Sequence, residues 1–535
     1  MPRRGLRIDT AVQFFPRGGS AHVVNYLNRE LAARGCATTV MCGSLGQPGQ
    51  FSHAPTFYAG LRIVPYDYNP AARAYREGRP SMDGQAAPFH PSFEDRGPAA
   101  PDRQATAVGP ATFTHLIGAW HRQLALHRSR RPDVLHLHHL SHLQEAARRA
   151  YPATPRLTTL HGTDLKLLEQ AHAHLDLARR AGTTPEHLAA LARAPEGEGT
   201  LDRLARSGDL TAQEAARLAT TDWTLWSHTR SWTRAMEHWV RHCGTLVTVS
   251  ASDRRQAAAL LPVAEEQITV VPNGADLTRF TPRLLTHDQR VQHLTTWLVD
   301  NPQGWAPGQD PGTVRYTHAD IQRLVTPEGR LRPIVLWVGR YQRVKRLGLL
   351  LDAFARVLPA LDPRPALVLW GGAPGECEGE HPLDAARRLG IEADVYLVGW
   401  RGHDELPTGL ALADVMAAPA VNESFGMVYV ESMAAGTPPI ATHTGGPADF
   451  IASDGPFANG WTVVPDDVDD LARVLRHALT DHAERRRRGA NAAALARASY
   501  GWPMITDRYA QLYDALRPGP APAGTGEPTT PKDRP

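Results

Sequence analysis

The sequence predicts an α/β fold of two doubly wound domains, and three observations carry that expectation. Strand-sized apolar runs alternate with helix-length amphipathic stretches along most of the chain. Two of these runs, near residues 8–15 and 333–338, open into a glycine turn followed by a helical pattern. The chain has 535 residues, enough for two or three domains with large cores.

Composition removes several function classes. The formal net charge of +3 is too small for an electrostatically steered nucleic-acid or membrane surface. Cys36, Cys42, Cys243 and Cys377 are scattered without a CxxC pair, so neither a disulfide framework nor a zinc site is expected, and a cytoplasmic setting fits. No run of 18 apolar residues exists, and MPRRGLRIDTAVQFF enters a strand pattern directly, without the apolar core of a signal peptide.

In chain order, residues 8–15 read as a strand, and Gly18-Gly19 form a turn whose missing side chains let a phosphate or sugar approach the backbone. The turn lacks G-x-G-x-x-G, which argues against dinucleotide binding. Val23, Val24, Leu27 and Leu31 then follow at helical spacing, and residues 37–42 and 61–65 are further strands. Residues 78–110, rich in Pro, Gly and charge over 78–103, read as a mobile insertion. Residues 132–140 form a strand ending in His136, His138, His139 and His142; no Cys or carboxylate joins them at ligand spacing, so a metal is not expected. Residues 156–160 end in His161-Gly-Thr-Asp164, where Asp164 either caps the next helix or binds an acceptor. Extra helices span about 166–220, strands follow at 245–249 and 268–271, and Pro272-Asn-Gly is a turn.

Residues 286–330, with six Pro and Gly between Pro302 and Gly312, read as an insertion at the domain junction. The second domain opens with a buried-type strand at 333–338, then Gly339-Arg340, Lys345 and a Leu-rich helix. Runs at 367–370, 395–398, 415–418, 439–441 and 459–465 continue its sheet. Between the runs at 415–418 and 439–441 lies Glu423-Ser-Phe-Gly426, which feeds a helix carrying Glu431, with seven residues between the two glutamates. A helix N-terminus flanked by carboxylates suits a ligand bearing both phosphates and hydroxyls.

Taken in order, the glycine turn, His-Gly-Thr-Asp, Pro-Asn-Gly, Gly-Arg-x4-Lys and the Glu-x7-Glu unit with its Gly445-Gly446-Pro447 resemble glycosyltransferase family 4, the retaining sugar-nucleotide transferases of the GT-B fold. The resemblance covers most of residues 6–516. It implies two facing Rossmann-like domains with the donor cleft between them: 1–285 on the acceptor side, the junction insertion, 331–500 binding the nucleotide sugar, a helix at 501–517 crossing back to the first domain, and a disordered tail at 518–535. It implies catalytic roles for His161, Glu423, Arg340 and Lys345. Donor contacts are implied for Gly18, Gly19, Arg340, Lys345, Val398, Glu423, Ser424, Phe425, Gly426 and Glu431, with Glu423 on the sugar and Glu431 on the ribose. Asp164 stands as an acceptor contact beside its capping role.

The implied reaction moves a sugar from a nucleotide diphosphate to an acceptor with retained anomeric configuration. No metal is expected, because Arg340 and Lys345 supply the positive charge the leaving group needs. A specialised small molecule is the expected acceptor, with a glycan as the other partner type, no nucleic acid and at most peripheral membrane contact. The alternatives are a nucleotide-sugar-binding protein without turnover, or a transferase acting on a lipid or polysaccharide. Inversion would instead need a base, for which His161 or Asp164 would serve.

Overall fold

A computed structural model describes residues 5–126, 131–194, 197–207 and 209–517; the expected disordered tail at 518–535 lies outside them. The first sheet takes β1 (Arg7–Val12), β2 (Ala37–Ser44), β3 (Ile63–Asp67), β4 (Val134–His138), β5 (Arg156–Thr159), β6 (Thr245–Thr248) and β7 (Ile268–Val270). The second takes β8 (Ile334–Gly339), β9 (Ala366–Gly371), β10 (Val395–Gly399), β11 (Val415–Ala417), β12 (Pro439–Thr442) and β13 (Trp461–Val463). Their orders are β3-β2-β1-β4-β5-β6-β7 and β10-β9-β8-β11-β12-β13. Every pairing in both is parallel. Helices cover both faces, so β4, β9 and β10 are buried along their whole length.

Strand order reverses between β1 and β4 in the first sheet and between β8 and β11 in the second. In open parallel sheets the crevice beyond the carboxyl ends at such a reversal is where ligands bind. The residues following β1, β4, β8 and β11 are therefore the ones the fold places at a crevice. They include Gly18-Gly19, His139, Arg340 and Glu423.

The last helix, Trp502–Leu516, returns to the first domain. Trp502, Ile505, Tyr509 and Tyr513 recur at helical spacing and are buried with Leu6, Ile8, Val23, Leu27 and Leu31. A buried polar pair fixes its rotation: Tyr513 Oη lies 2.8 Å from His136 Nδ1, and His136 Nε2 lies 2.8 Å from Thr159 Oγ1. Burial pushes the His136 imidazole down to about 3, so it is neutral there. Among the described residues, no helix is long and apolar enough to cross a membrane.

Two insertions depart from expectation. Residues 78–110 are packed rather than mobile: Met82, Phe89, His90 and Phe93 are buried in the first core, and a bridge joins Ser92 to Gln104. The widely spaced apolar anchors outweigh the polar composition. Residues 286–330 belong to the second core rather than to a junction. Leu294, Trp297, Leu298, Trp305, Ile321 and Leu324 are buried there, and Trp297 meets Trp370 edge-on at 4.9 Å. This segment covers β10, an edge strand. Leu397 N donates to Tyr316 Oη at 2.9 Å, and a Cβ on Gly304 would overlap the Leu397 carbonyl.

Replacing Tyr513 by Phe leaves His136 Nδ1 buried without its partner. We expect a loss of about 1–3 kcal/mol in chemical denaturation; an unchanged midpoint and slope would contradict the pairing.

Candidate functional site

The first half of the site comes from the ends of β1 and β5. Gly18, at φ +63°, starts helix Gly18–Ala33, and a Cβ on Gly19 would stand 3.8 Å from Met427 Sδ of the second domain. His161 follows β5, with its Nε2 2.9 Å from His138 Nδ1. Burial, then the neighbouring His139 and His136, hold its imidazole well below the usual range, so it acts as a neutral hydrogen-bonding group. Gly162 explains the glycine after this histidine: it has φ +84°, and a Cβ there would overlap Ser424 Oγ across the cleft.

Asp164 corrects the acceptor expectation. Its side chain is fully buried, and its Oδ2 accepts from Leu140 N at 3.1 Å, tying the β4 exit to helix Thr163–Arg180. Its Oδ1 accepts from Leu165 N at 3.2 Å, so both oxygens are held by backbone, none is exposed, and the residue is a structural tie.

The second half comes from the ends of β8 and β11. Lys345 Nζ contacts Glu423 Oε2 at 2.5 Å. Burial alone would raise the Glu423 carboxyl, but the charges of Lys345, Lys166 and Arg340 more than offset it and hold it below the ordinary value. Arg340 lies on the open side of this cluster, its Nη1 3.4 Å from Glu94 Oε2 of the 78–110 segment. Ser424 is buried against Gly162, and Gly426, at φ +80°, starts helix Met427–Ala434. The Phe425 ring is buried against Phe450 at 5.2 Å, so its side chain builds the core and leaves only backbone for a donor. Val398 is likewise fully buried in β10, with half-exposed Trp400 just beyond it.

Glu431 sits one to two turns into the helix, 3% exposed, with Oε1 2.7 Å from His403 Nε2. His403 Nδ1 is 3.4 Å from Tyr26 Oη, and Arg279 donates to both the His403 carbonyl and Asp404, at 3.0 and 2.6 Å. Glu431 is thus fixed by a knot spanning both domains.

The structure therefore brings together His161, Arg340, Lys345, Glu423 and Ser424, with Gly18-Gly19 facing Met427 nearby, while Glu431 forms a second cluster. Sequence reading passed over Lys166 and His403. Lys166 lies two residues beyond Asp164 in His-Gly-Thr-Asp-Leu-Lys, and His403 follows the β10 exit; neither lies within a quoted motif.

Burial lowers the His403 imidazole, but the charge and hydrogen bond of Glu431 outweigh it, and the net shift is upward. A raised folded value means the pair's stabilisation is fully present below the unfolded value of about 6.5 and is lost as pH rises through the folded value. The difference in melting temperature between wild type and His403→Gln should therefore be greatest at acidic pH and shrink toward pH ~9. A gap that widens with pH would contradict this.

A family model described as glycosyl transferases group 1 matches residues 320–495. Curated relatives named D-inositol 3-phosphate glycosyltransferase include one from Corynebacterium jeikeium, 33% identical over 303 residues, which are 52% of this chain and 67% of that protein. Another, from Corynebacterium urealyticum, is 33% identical over 54% of this chain and 70% of that protein. The match spans about half of other curated relatives, such as 52% of the Nocardia farcinica protein at 30% identity over 50% of this chain. Among solved structures, sucrose-phosphate synthase from Thermosynechococcus elongatus aligns with TM-score 0.59 and 18% identity over 96% of this chain and 99% of that one. Anabaena HepE in complex with UDP and glucose aligns at 0.56 and 16%, over 95% and 100%. These two share the fold. With strand-end motifs and relatives in agreement, the chain belongs to the group 1 glycosyl transferases and has the GT-B fold.

Proposed function

We propose that the protein transfers a sugar from a nucleotide-diphosphate donor to a small-molecule acceptor, with retention of anomeric configuration. The observation that carries this reading is the convergence of Lys345, Lys166 and Arg340 on the Glu423 carboxylate at the second strand-order reversal, with His161 supplied by the end of β5 in the first sheet. Breaking a sugar–phosphate bond builds negative charge on the departing diphosphate. Fixed cations at that point stabilise it in the transition state. In this reading Arg340 and Lys345 hold the diphosphate without a metal. Glu423 orients the sugar, Glu431 holds the ribose, and the neutral His161 bonds a sugar hydroxyl.

The supply of bases supports retention. A front-side route lets the leaving phosphate take the acceptor proton, so the protein needs no base of its own. The groups that could support inversion are poorly placed for it. Asp164 is buried and bound to backbone, and His161 has its Nε2 against His138. Asp253, buried beside Gly162 and Ser424, has a carboxyl that burial pushes up to about 8, so at neutral pH it already carries a proton.

HepE is described with UDP-glucose as well as UDP, and the curated relatives are named for D-inositol 3-phosphate. UDP-glucose and a polyol phosphate are accordingly the first donor and acceptor to try. A cytoplasmic setting suits both.

Arg340→Ala and Glu431→Ala should each weaken nucleotide-sugar binding by roughly 10–100-fold in calorimetry, the worth of one charge-assisted contact. Lys345→Ala should lower kcat on the order of hundredfold, since its charge matters most as the diphosphate leaves. Wild-type affinity in both binding variants would remove the donor assignment. A product of inverted configuration by NMR would remove the front-side route.

A further inference from the structure

Glu431, the carboxylate assigned to the donor ribose, is already engaged in this structure. Its side chain is buried, and Oε1 lies 2.7 Å from His403 Nε2. His403 belongs to the first turn of helix Gly402–Leu412, which begins just past β10. Its Nδ1 lies 3.4 Å from Tyr26 Oη of helix Gly18–Ala33 in the first domain. Both ring nitrogens thus meet an oxygen, the arrangement that suits a doubly protonated imidazole.

Glu431 is the group that keeps this ring charged. Burial opposes the charge, and so does the Arg279 guanidinium, which sits 3.0 Å from the His403 carbonyl; the charge and hydrogen bond of Glu431 outweigh both, and the net shift is upward. The helix opposes it too, since a cation in a first turn faces the positive end of the backbone dipole. The remaining neighbours do not take the place of Glu431. Asp404 is 96% exposed and pairs with Arg279 at 2.6 Å, and Glu405 accepts from Trp297 Nε1 at 2.6 Å. From the first domain, His22 meets the His403 ring at 4.7 Å, but burial and then the charge of His403 push it down to about 4, so it is neutral. Burial pushes the Tyr26 hydroxyl up to about 12, so it is neutral as well.

Resting on the transferase reading, we propose that His403 is a positioning residue for the donor ribose that works by exchange: it holds the Glu431 carboxylate in the donor-free protein, and ribose hydroxyls take its place as His403 releases one proton to solvent. The hydrogen bonds balance. The imidazolium withdraws its Nε2–H from Glu431, and a ribose O–H donates there instead. The neutral ring keeps Tyr26, whose O–H now donates to Nδ1. Without the Glu431 contact, burial, Arg279 and the helix dipole all favour the neutral ring. Binding of a nucleotide sugar is therefore linked to proton release. Affinity rises with pH between the titration point of the liganded ring and the higher one of the free ring.

The test is calorimetry on the full chain with UDP-glucose, GDP-glucose and ADP-glucose as probes, whose diphosphates carry no proton that titrates near neutrality. Titrations at pH ~7 in buffers of different ionisation enthalpy count the protons released, and wild type should release between about half and one. Its affinity should rise with pH by up to about tenfold per unit, the limit for one proton. His403→Gln keeps an N–H for Glu431 but has no proton to lose. It should release none, and its affinity should stay within about twofold between pH ~6 and ~8. Independently of the variant, NMR should show the wild-type His403 ring titrating above ~6.5 in the free protein and below it with probe bound. Wild-type binding without proton release, equal release in wild type and His403→Gln, or a His403 ring that titrates at the same pH in both states would overturn the exchange alone. Failure of folded wild type to bind any of the three probes would overturn the transferase reading and the exchange with it.

Discussion

The approach of Gly162 to Ser424 is the constraint on which the site depends. Two sheets end on opposite sides of a cleft, and at one close approach of the loops leaving them a glycine leaves room for the facing serine. A Cβ on Gly162 would overlap Ser424 Oγ; on the other flank, a Cβ on Gly445 would stand 2.6 Å from the Glu423 carbonyl oxygen. The Glu423-Ser424 turn is thus clasped by backbone from both domains. That clasp sets the carboxylate of Glu423 within reach of Lys345 and in the field of Lys166, a cation from the first domain. Neither domain alone supplies this arrangement, which explains why the residues carrying it come from positions as far apart as 161 and 424.

A second tie holds the same cleft from its far side. His403 binds Glu431 and approaches Tyr26, while Tyr26 stacks on Trp502 of the returning helix at 5.4 Å. The last helix therefore does more than close the first core. It supports the tyrosine that faces the glutamate assigned to the ribose. Packing of the terminal helix, interdomain contact and the geometry of Glu431 are coupled through side chains that touch in sequence, so a change in one should register in the others.

Much of this was legible in the chain. Parallel strands buried on both faces appear as short apolar runs, and those at 395–398 and 439–441 correspond to strands Val395–Gly399 and Pro439–Thr442. Glycines at strand ends marked the loops that matter. Three kinds of information were not legible. Composition made 78–110 look mobile, because Met82, Phe89 and Phe93 are too widely spaced to form a periodic pattern, though each is buried. Motif position could not tell Asp164, turned inward onto Leu140 N, from a residue facing solvent, nor show that the Phe425 ring packs on Phe450. Contacts between distant segments, such as Lys166 toward Glu423 and His403 on Glu431, exist only once the domains face each other.

The central claim is that the Lys345–Glu423 contact marks the seat of the donor, with cations on the diphosphate and carboxylates on the sugar and ribose. A crystal structure with a bound nucleoside diphosphate sugar tests it most directly. The account predicts diphosphate oxygens on Arg340 and Lys345, ribose hydroxyls on Glu431, and sugar hydroxyls on Glu423 and His161. A nucleotide bound elsewhere, with Lys345 still on Glu423 and Arg340 free of phosphate, would contradict it.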